Sequence, residues 1–201
     1  PKNLFLGGDH LGPLPWAGNL NNIALKNSIN LIKDYLNENF SKIHIDTSIQ
    51  CKNDKYINSE IVFKRTSKIL NNTIIQKKIK NRFIVVGTEV PLAGSGDKKK
   101  IVITSNQRIK NEVFNFKKIF KKINLENNFF GLVIEPGMKY SHSSITKPNF
   151  TNFRKKKNIS KQNNFFYEAH STDYQSKIIL RQLVKNNFRF LKVGPELTYN
   201  Y

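Results

Sequence analysis

The groups of this chain best suited to bind a metal or move a proton are not scattered. All four histidines and seven of the fourteen acidic residues fall in six short segments. These are Gly7-Gly8-Asp9-His10, Ile43-His44-Ile45-Asp46, Gly87-Thr88-Glu89, Ile134 to His142 with Glu135, Tyr167 to Asp173 with Glu168 and His170, and Val193 to Glu196. Three imidazoles converging from separate segments can hold Zn2+ with one position open for substrate. Such an ion polarises a carbonyl or stabilises an enediolate while a nearby carboxylate exchanges the proton. His10, His142 and His170 are the candidate ligands, and Asp9 with Glu89 or Glu168 is the candidate acid/base pair. Each has a structural alternative: a capping Asp9 beside a hydrogen-bonded His10, and a lysine salt bridge for Glu89, Glu135, Glu168 and Glu196. His44 and Asp46 share one face of a strand. Asp46 is the substrate-holding candidate of the two, and His44 reads as a satisfied core residue.

Each segment closes an apolar run, so the elements that position them read as strands: Lys2 to Gly7, Lys42 to Asp46, Arg82 to Gly87, Phe129 to Glu135, Phe165 to Glu168 and Phe188 to Val193. Most are continuous rather than alternating, as when both sheet faces are covered. Between them, Leu20, Ala24, Leu31, Ile32, Tyr35 and Leu36 recur at helical spacing, as do Ile109, Val113, Phe116, Phe120 and Ile123, and Ile178, Ile179, Leu183 and Val184. Asn58 or Ser59 can cap a helix reaching about Leu70. Residues Asn149 to Asn164 read as a loop or a weak helix. The order is that of βα units around a parallel sheet, where active sites form at the strand ends. Six strands suggest six-eighths of a (β/α)8 barrel, which runs to about 250 residues when whole. An open flavodoxin-like sheet is the structural rival.

Ser171, Thr172 and Asp173 after one strand, and Gly194 with Thr198 after the next, occupy loops that in many barrels hold a phosphate. Gly94-Ser95-Gly96 with Lys98 fails the spacing of a nucleotide-binding P-loop. Cys51 and Trp16 read as packing residues, and a single cysteine fits a reducing compartment.

The net charge of +20 invites a nucleic-acid reading. Lys outnumbers Arg by 28 to 6, whereas base recognition favours the planar fork of Arg, so the lysines read as solvated helix faces and loops. No nucleic-acid partner is expected. Nor is a membrane one, since no apolar run approaches the roughly eighteen residues of a span. The start has neither a signal peptide nor an initiator Met, which reads as a cytoplasmic protein lacking its true N-terminus.

In order, Leu6 to Pro13, Phe40 to Cys51, Val85 to Pro91, Ile134 to Ser143, Tyr167 to Gln175 and Leu191 to Thr198 resemble the successive motifs of the non-catalytic subunit family of class II tagatose-bisphosphate aldolase. The resemblance implies a class II aldolase-like TIM barrel, present as a fragment (residues 1–201) covering strands 3 to 8. Two βα units before Pro1 and a C-terminal extension after Tyr201 are then missing. Asp9 is similar to the catalytic Asp of class II aldolases, and His10, His142 and His170 to their Zn2+ ligands. His170 is followed by Ser-Thr-Asp rather than the Gly-rich phosphate loop of catalytic subunits. The implied role is to support the stability and activity of a catalytic aldolase subunit in sugar-phosphate metabolism. The alternative is a metal-dependent C4 epimerase interconverting fructose 6-phosphate and tagatose 6-phosphate.

Overall fold

In the computed structural model, which describes residues 4–88, 101–141 and 144–200, apolar runs form strands and the helically spaced runs form helices between them. The elements are β1 (Gly7–Leu11), α1 (Asn21–Asn37), β2 (Lys42–Ile45), α2 (Ser59–Leu70), α3 (Thr73–Ile79), β3 (Phe83–Val86), α4 (Asn106–Lys122), β4 (Phe129–Val133), β5 (Lys139–Tyr140), β6 (Ile145–Thr146), α5 (Phe153–Gln162), β7 (Phe166–Ala169), α6 (Lys177–Lys185), β8 (Phe188–Leu191) and α7 (Pro195–Tyr199). The fold is α/β. The chain forms two compact units, Pro1–Thr88 with Phe114–Phe130, and Glu89–Val113 with Gly131–Tyr201.

In the first unit β2 lies between β1 and β3 and is parallel to both. Ile43, Ile45, Ile84, Val85 and Val86 are fully buried, which is why these strands read as continuous apolar runs. Helix α1 buries Ala24, Leu25, Ser28, Ile32 and Leu36 along one stripe, and the Ser28 hydroxyl donates to the Ala24 carbonyl at 2.7 Å. Phe116 and Phe120 of α4 meet Phe129 at 6.4 and 5.5 Å between ring centroids, with Phe63 edge-on to Phe116 at 4.9 Å. Burying each such ring contributes on the order of 2–3 kcal/mol.

The loop after β2 is tied down by charge. Arg65 of α2 donates to the Ile49 carbonyl at 2.8 Å and pairs with Asp54. Asp54 also accepts from the Cys51 amide at 2.6 Å. The residue after Leu20 needs a partner for its amide, because Leu20 offers no side-chain cap to α1; Asn53 accepts from the Asn21 amide at 2.8 Å. The Asn58 side chain caps α2 as its residue type predicts, accepting from the Ile61 amide at 2.9 Å. Cys51 is buried, in keeping with a packing role.

In the second unit β7 lies between β4 and β8, again parallel to both. Its alternation sorts two kinds of side chain. Tyr167 is fully buried, lies 5.2 Å from Phe188 and donates its hydroxyl to the Lys156 carbonyl of α5, whereas Glu168 and His170 take the other face. β5 and β6 pair antiparallel, Lys139 with Thr146 and Tyr140 with Ile145. Neither unit reverses its order of consecutive parallel strands. No helix among the described residues is long and apolar enough to cross a membrane.

The structure corrects three sequence readings and, within residues 149–164, decides between the loop and the helix in favour of the helix. The first strand is Gly7–Leu11, not Lys2 to Gly7: Leu4, Phe5 and Leu6 are apolar but exposed, and the ladder to β2 begins at Gly7. Residues 153–162 are a regular helix, with Phe153, Lys156, Ile159 and Ser160 inward. Lys156 is therefore not on a solvated face; its ammonium donates to the Thr104 carbonyl, and burial pushes its pKa below the ordinary value. Trp16 is half-exposed in the short helical turn Leu14–Trp16 rather than packed in a core.

Candidate functional site

Adjacent strand residues normally point to opposite faces, so Asp9 and His10 could not both meet one neighbour on a regular strand. A bulge removes that restriction. Gly8 pairs with Ile43 and Leu11 with Ile45, so two residues of β1, Asp9 and His10, stand opposite the single residue His44 of β2. His10 takes a φ of 89°, a left-handed conformation uncommon for a residue with a side chain. The Asp9 carboxylate accepts from His44 Nδ1 at 2.6 Å, with Lys42 Nζ 3.7 Å from the same oxygen. The rings of His10 and His44 lie edge-to-face with centroids 4.8 Å apart. His44 is fully buried, as a core residue would be, but it is hydrogen-bonded to Asp9 and in ring contact with His10, the two residues singled out for chemistry. The signal that could have found it is its place two residues before Asp46, one step deeper on the same strand face.

Asp46 follows β2 and is buried. One carboxylate oxygen accepts from the Ser48 amide at 2.9 Å and from the Ser48 hydroxyl at 2.6 Å, closing a local turn. Its backbone carbonyl lies against Gly12.

In the second unit Glu168 of β7 and His170, the residue just after that strand, are paired side to side, His170 Nε2 donating to Glu168 Oε1 at 3.0 Å. Both are buried, and the pairing fixes the imidazole's orientation. Beyond them Ser171 takes a φ of 55° and turns the chain. The Thr172 hydroxyl donates to the Lys192 carbonyl at 2.8 Å. Asp173 Oδ1 accepts from the Gly194 amide at 2.8 Å and the Glu196 amide at 3.1 Å, while Glu196 accepts from the Tyr174 amide at 2.6 Å. The Asp173 carboxylate thus holds both the Gly194 and the Glu196 amides. Tyr140 lies near this loop, and burial, then the charge of Asp173, raises the pKa of its hydroxyl. Thr198 is exposed on α7. Thr172, Asp173 and Gly194 are therefore joined through one hydrogen-bonded loop pair. Glu89 and His142 lie outside the described residues.

Imidazole and carboxylate groups able to hold a metal are present. In the first unit the donor atoms of His10 and His44 are within 4.8 Å of each other, as are those of Asp9 and His44, and imidazole and carboxylate donors suit Zn2+. The residues fit the ion, which when bound supplies Lewis-acid polarisation of an oxygen.

The model of the family described as D-tagatose-1,6-bisphosphate aldolase subunit GatZ/KbaZ-like matches residues 1–201. The chain belongs to that family. It is 32% identical over 207 residues to the D-tagatose-1,6-bisphosphate aldolase subunit GatZ of Salmonella dublin, covering 98% of this chain and 49% of that protein. The subunit of the same name from Klebsiella pneumoniae subsp. pneumoniae is 31% identical over the same shares of the two chains. A crystal structure of a probable tagatose 6 phosphate kinase from Sinorhizobium meliloti 1021 superposes with a TM-score of 0.82 at 25% identity, over 98% of this chain and 49% of that one. This GatZ/KbaZ-like chain spans about half the length of the curated relatives it matches.

Proposed function

We propose that this GatZ/KbaZ-like chain belongs to a non-catalytic, cytoplasmic subunit that associates with the catalytic subunit of tagatose-bisphosphate aldolase and supports its stability and activity in sugar-phosphate metabolism. The observation that carries the reading is the family match along the whole chain. The loop after β7 supports the non-catalytic part: Asp173 takes the Gly194 and Glu196 amides, so a phosphate there has to displace a carboxylate. The architecture proposed for the whole protein is a TIM barrel of the class II aldolase kind, to which this chain contributes strands 3 to 8. The consecutive parallel order within each unit supports it.

Zn2+ is the proposed metal, with His10 as a ligand; His142 and His170 are proposed as ligands on the resemblance alone. Asp9, Glu89 and Glu168 are the proposed proton-handling carboxylates. Asp46, Ser171, Thr172, Asp173, Gly194 and Thr198 are the proposed substrate-binding residues, the Gly194 amide becoming available to substrate once it leaves Asp173.

The protein in its natural full-length form, mixed with the catalytic aldolase subunit at micromolar concentration, is expected to migrate with it as one species in sedimentation velocity. Two independently sedimenting species would remove the subunit reading.

A further inference from the structure

We infer that His44 is itself a metal ligand, binding through Nε2, and that Asp9 is the residue that positions it. The inference rests on the zinc part of the reading above and adds to it a residue that the sequence assigned to the core. An ionised carboxylate only accepts, so the 2.6 Å contact between Asp9 Oδ1 and His44 Nδ1 has the imidazole donating from Nδ1. The lone pair of that tautomer then sits on Nε2. A histidine that ligates a metal characteristically gives its other N–H to a carboxylate, which fixes the tautomer and raises the basicity of the ligating nitrogen.

The second observation is the neighbour. His10 lies edge-to-face with His44, and their donor atoms are within 4.8 Å of each other. Two nitrogens on one tetrahedral Zn2+, each at about 2.0–2.1 Å, are separated by roughly 3.4 Å. A modest rotation of the half-buried His10 ring closes that difference, whereas His44 is fully buried and held by Asp9. The bulge explains why all three residues serve one ion: it turns Asp9 and His10, adjacent in sequence, toward the one residue opposite them. Asp9 is thereby a positioning residue, with Lys42 Nζ 3.7 Å from the same oxygen.

The test uses the full-length protein stripped of metal and titrated with Zn2+ against a chromophoric chelator, and with Co2+ monitored by its visible absorption. His44→Gln is expected to weaken Zn2+ binding by about a hundredfold or more and to change the Co2+ spectrum, as His10→Gln does. Asp9→Asn, which keeps the side-chain shape and leaves His44 in place, is expected to weaken binding by about ten- to a hundredfold. It decides the question should His44→Gln fail to fold, as judged by circular dichroism of the metal-free proteins. Wild-type affinity and spectrum in His44→Gln, or in Asp9→Asn where that alone folds, with binding lost in His10→Gln, would overturn the inference and leave the zinc reading intact. Wild-type protein that binds no Zn2+ would overturn both. Neither result bears on association with the catalytic subunit.

Discussion

Replacing Gly12 by alanine is expected to destabilise the protein by about 3 kcal/mol or more, and to lower its thermal midpoint by roughly 10 °C. A Cβ built on Gly12 lands on the Asp46 carbonyl oxygen, well inside van der Waals contact. The obstructing atom is backbone, so no side-chain rotation relieves the clash; the ends of β1 and β2 have to separate. That separation breaks the Asp46 amide's 3.4 Å bond to the Leu11 carbonyl and disturbs the pairing that brings His44 to Asp9. Gly18→Ala is the control, because an added Cβ there meets nothing within 4 Å, and its effect is expected within about 0.5 kcal/mol. Thermal melts of the two variants side by side make the comparison, and equal midpoints would show that the strand ends are not packed as described.

A comparable loss is expected on breaking the Arg65–Asp54 pair. Both side chains are nearly inaccessible, 3% and 9% exposed, and Asp54 also receives the Cys51 amide. Removing one partner leaves a buried charge uncompensated, which costs about 3–5 kcal/mol, so Arg65→Met and Asp54→Ala should each unfold at markedly lower denaturant concentration. The double variant Arg65→Met with Asp54→Leu should lose less than the two single losses together. Burial by itself raises the Asp54 pKa; the Arg65 hydrogen bond, the Cys51 amide, the Arg65 charge and Asn21 outweigh it and hold the carboxyl below its ordinary 3.8. A depressed folded-state pKa means stabilisation that is present above the unfolded value and lost as pH falls through the folded one. Wild-type stability should therefore fall on acidification below about pH 4, and Asp54→Asn should lack that part of the fall. An identical acid profile in wild type and Asp54→Asn would contradict the assignment.

How far the sequence could be read depended on what decides each element. The strands β2, β3 and β7 were legible because most of their residues are buried on both faces, whereas β8, with Arg189 exposed, was marked by Phe188, Phe190 and Leu191. β1 was displaced by several residues because Leu4, Phe5 and Leu6 have the right composition, whereas the ladder is decided by register against β2, which composition does not carry. α5 was obscured by Lys156, an inward-facing position filled by a residue type that ordinarily marks the solvent face. Residue types and strand-end positions singled out Asp9 and His10 in the first unit and Glu168 and His170 in the second. The role of His44 depended on a one-residue bulge that no local pattern announces. Likewise, Ser171 and Thr172 after His170 read as part of a loop able to hold a phosphate, but the bonds from the Gly194 and Glu196 amides to Asp173 join residues of two loops and have no local signature.

The central proposal is that this chain belongs to a subunit that supports an aldolase rather than one that performs the cleavage. The most direct measurement is the half-life of tagatose-bisphosphate cleavage by the catalytic subunit at an inactivating temperature, alone and with a saturating amount of the full-length protein. The account predicts a half-life lengthened several-fold with the protein present, and no cleavage by the protein alone. An unchanged half-life at saturation, or cleavage by the protein without the catalytic subunit, would contradict it.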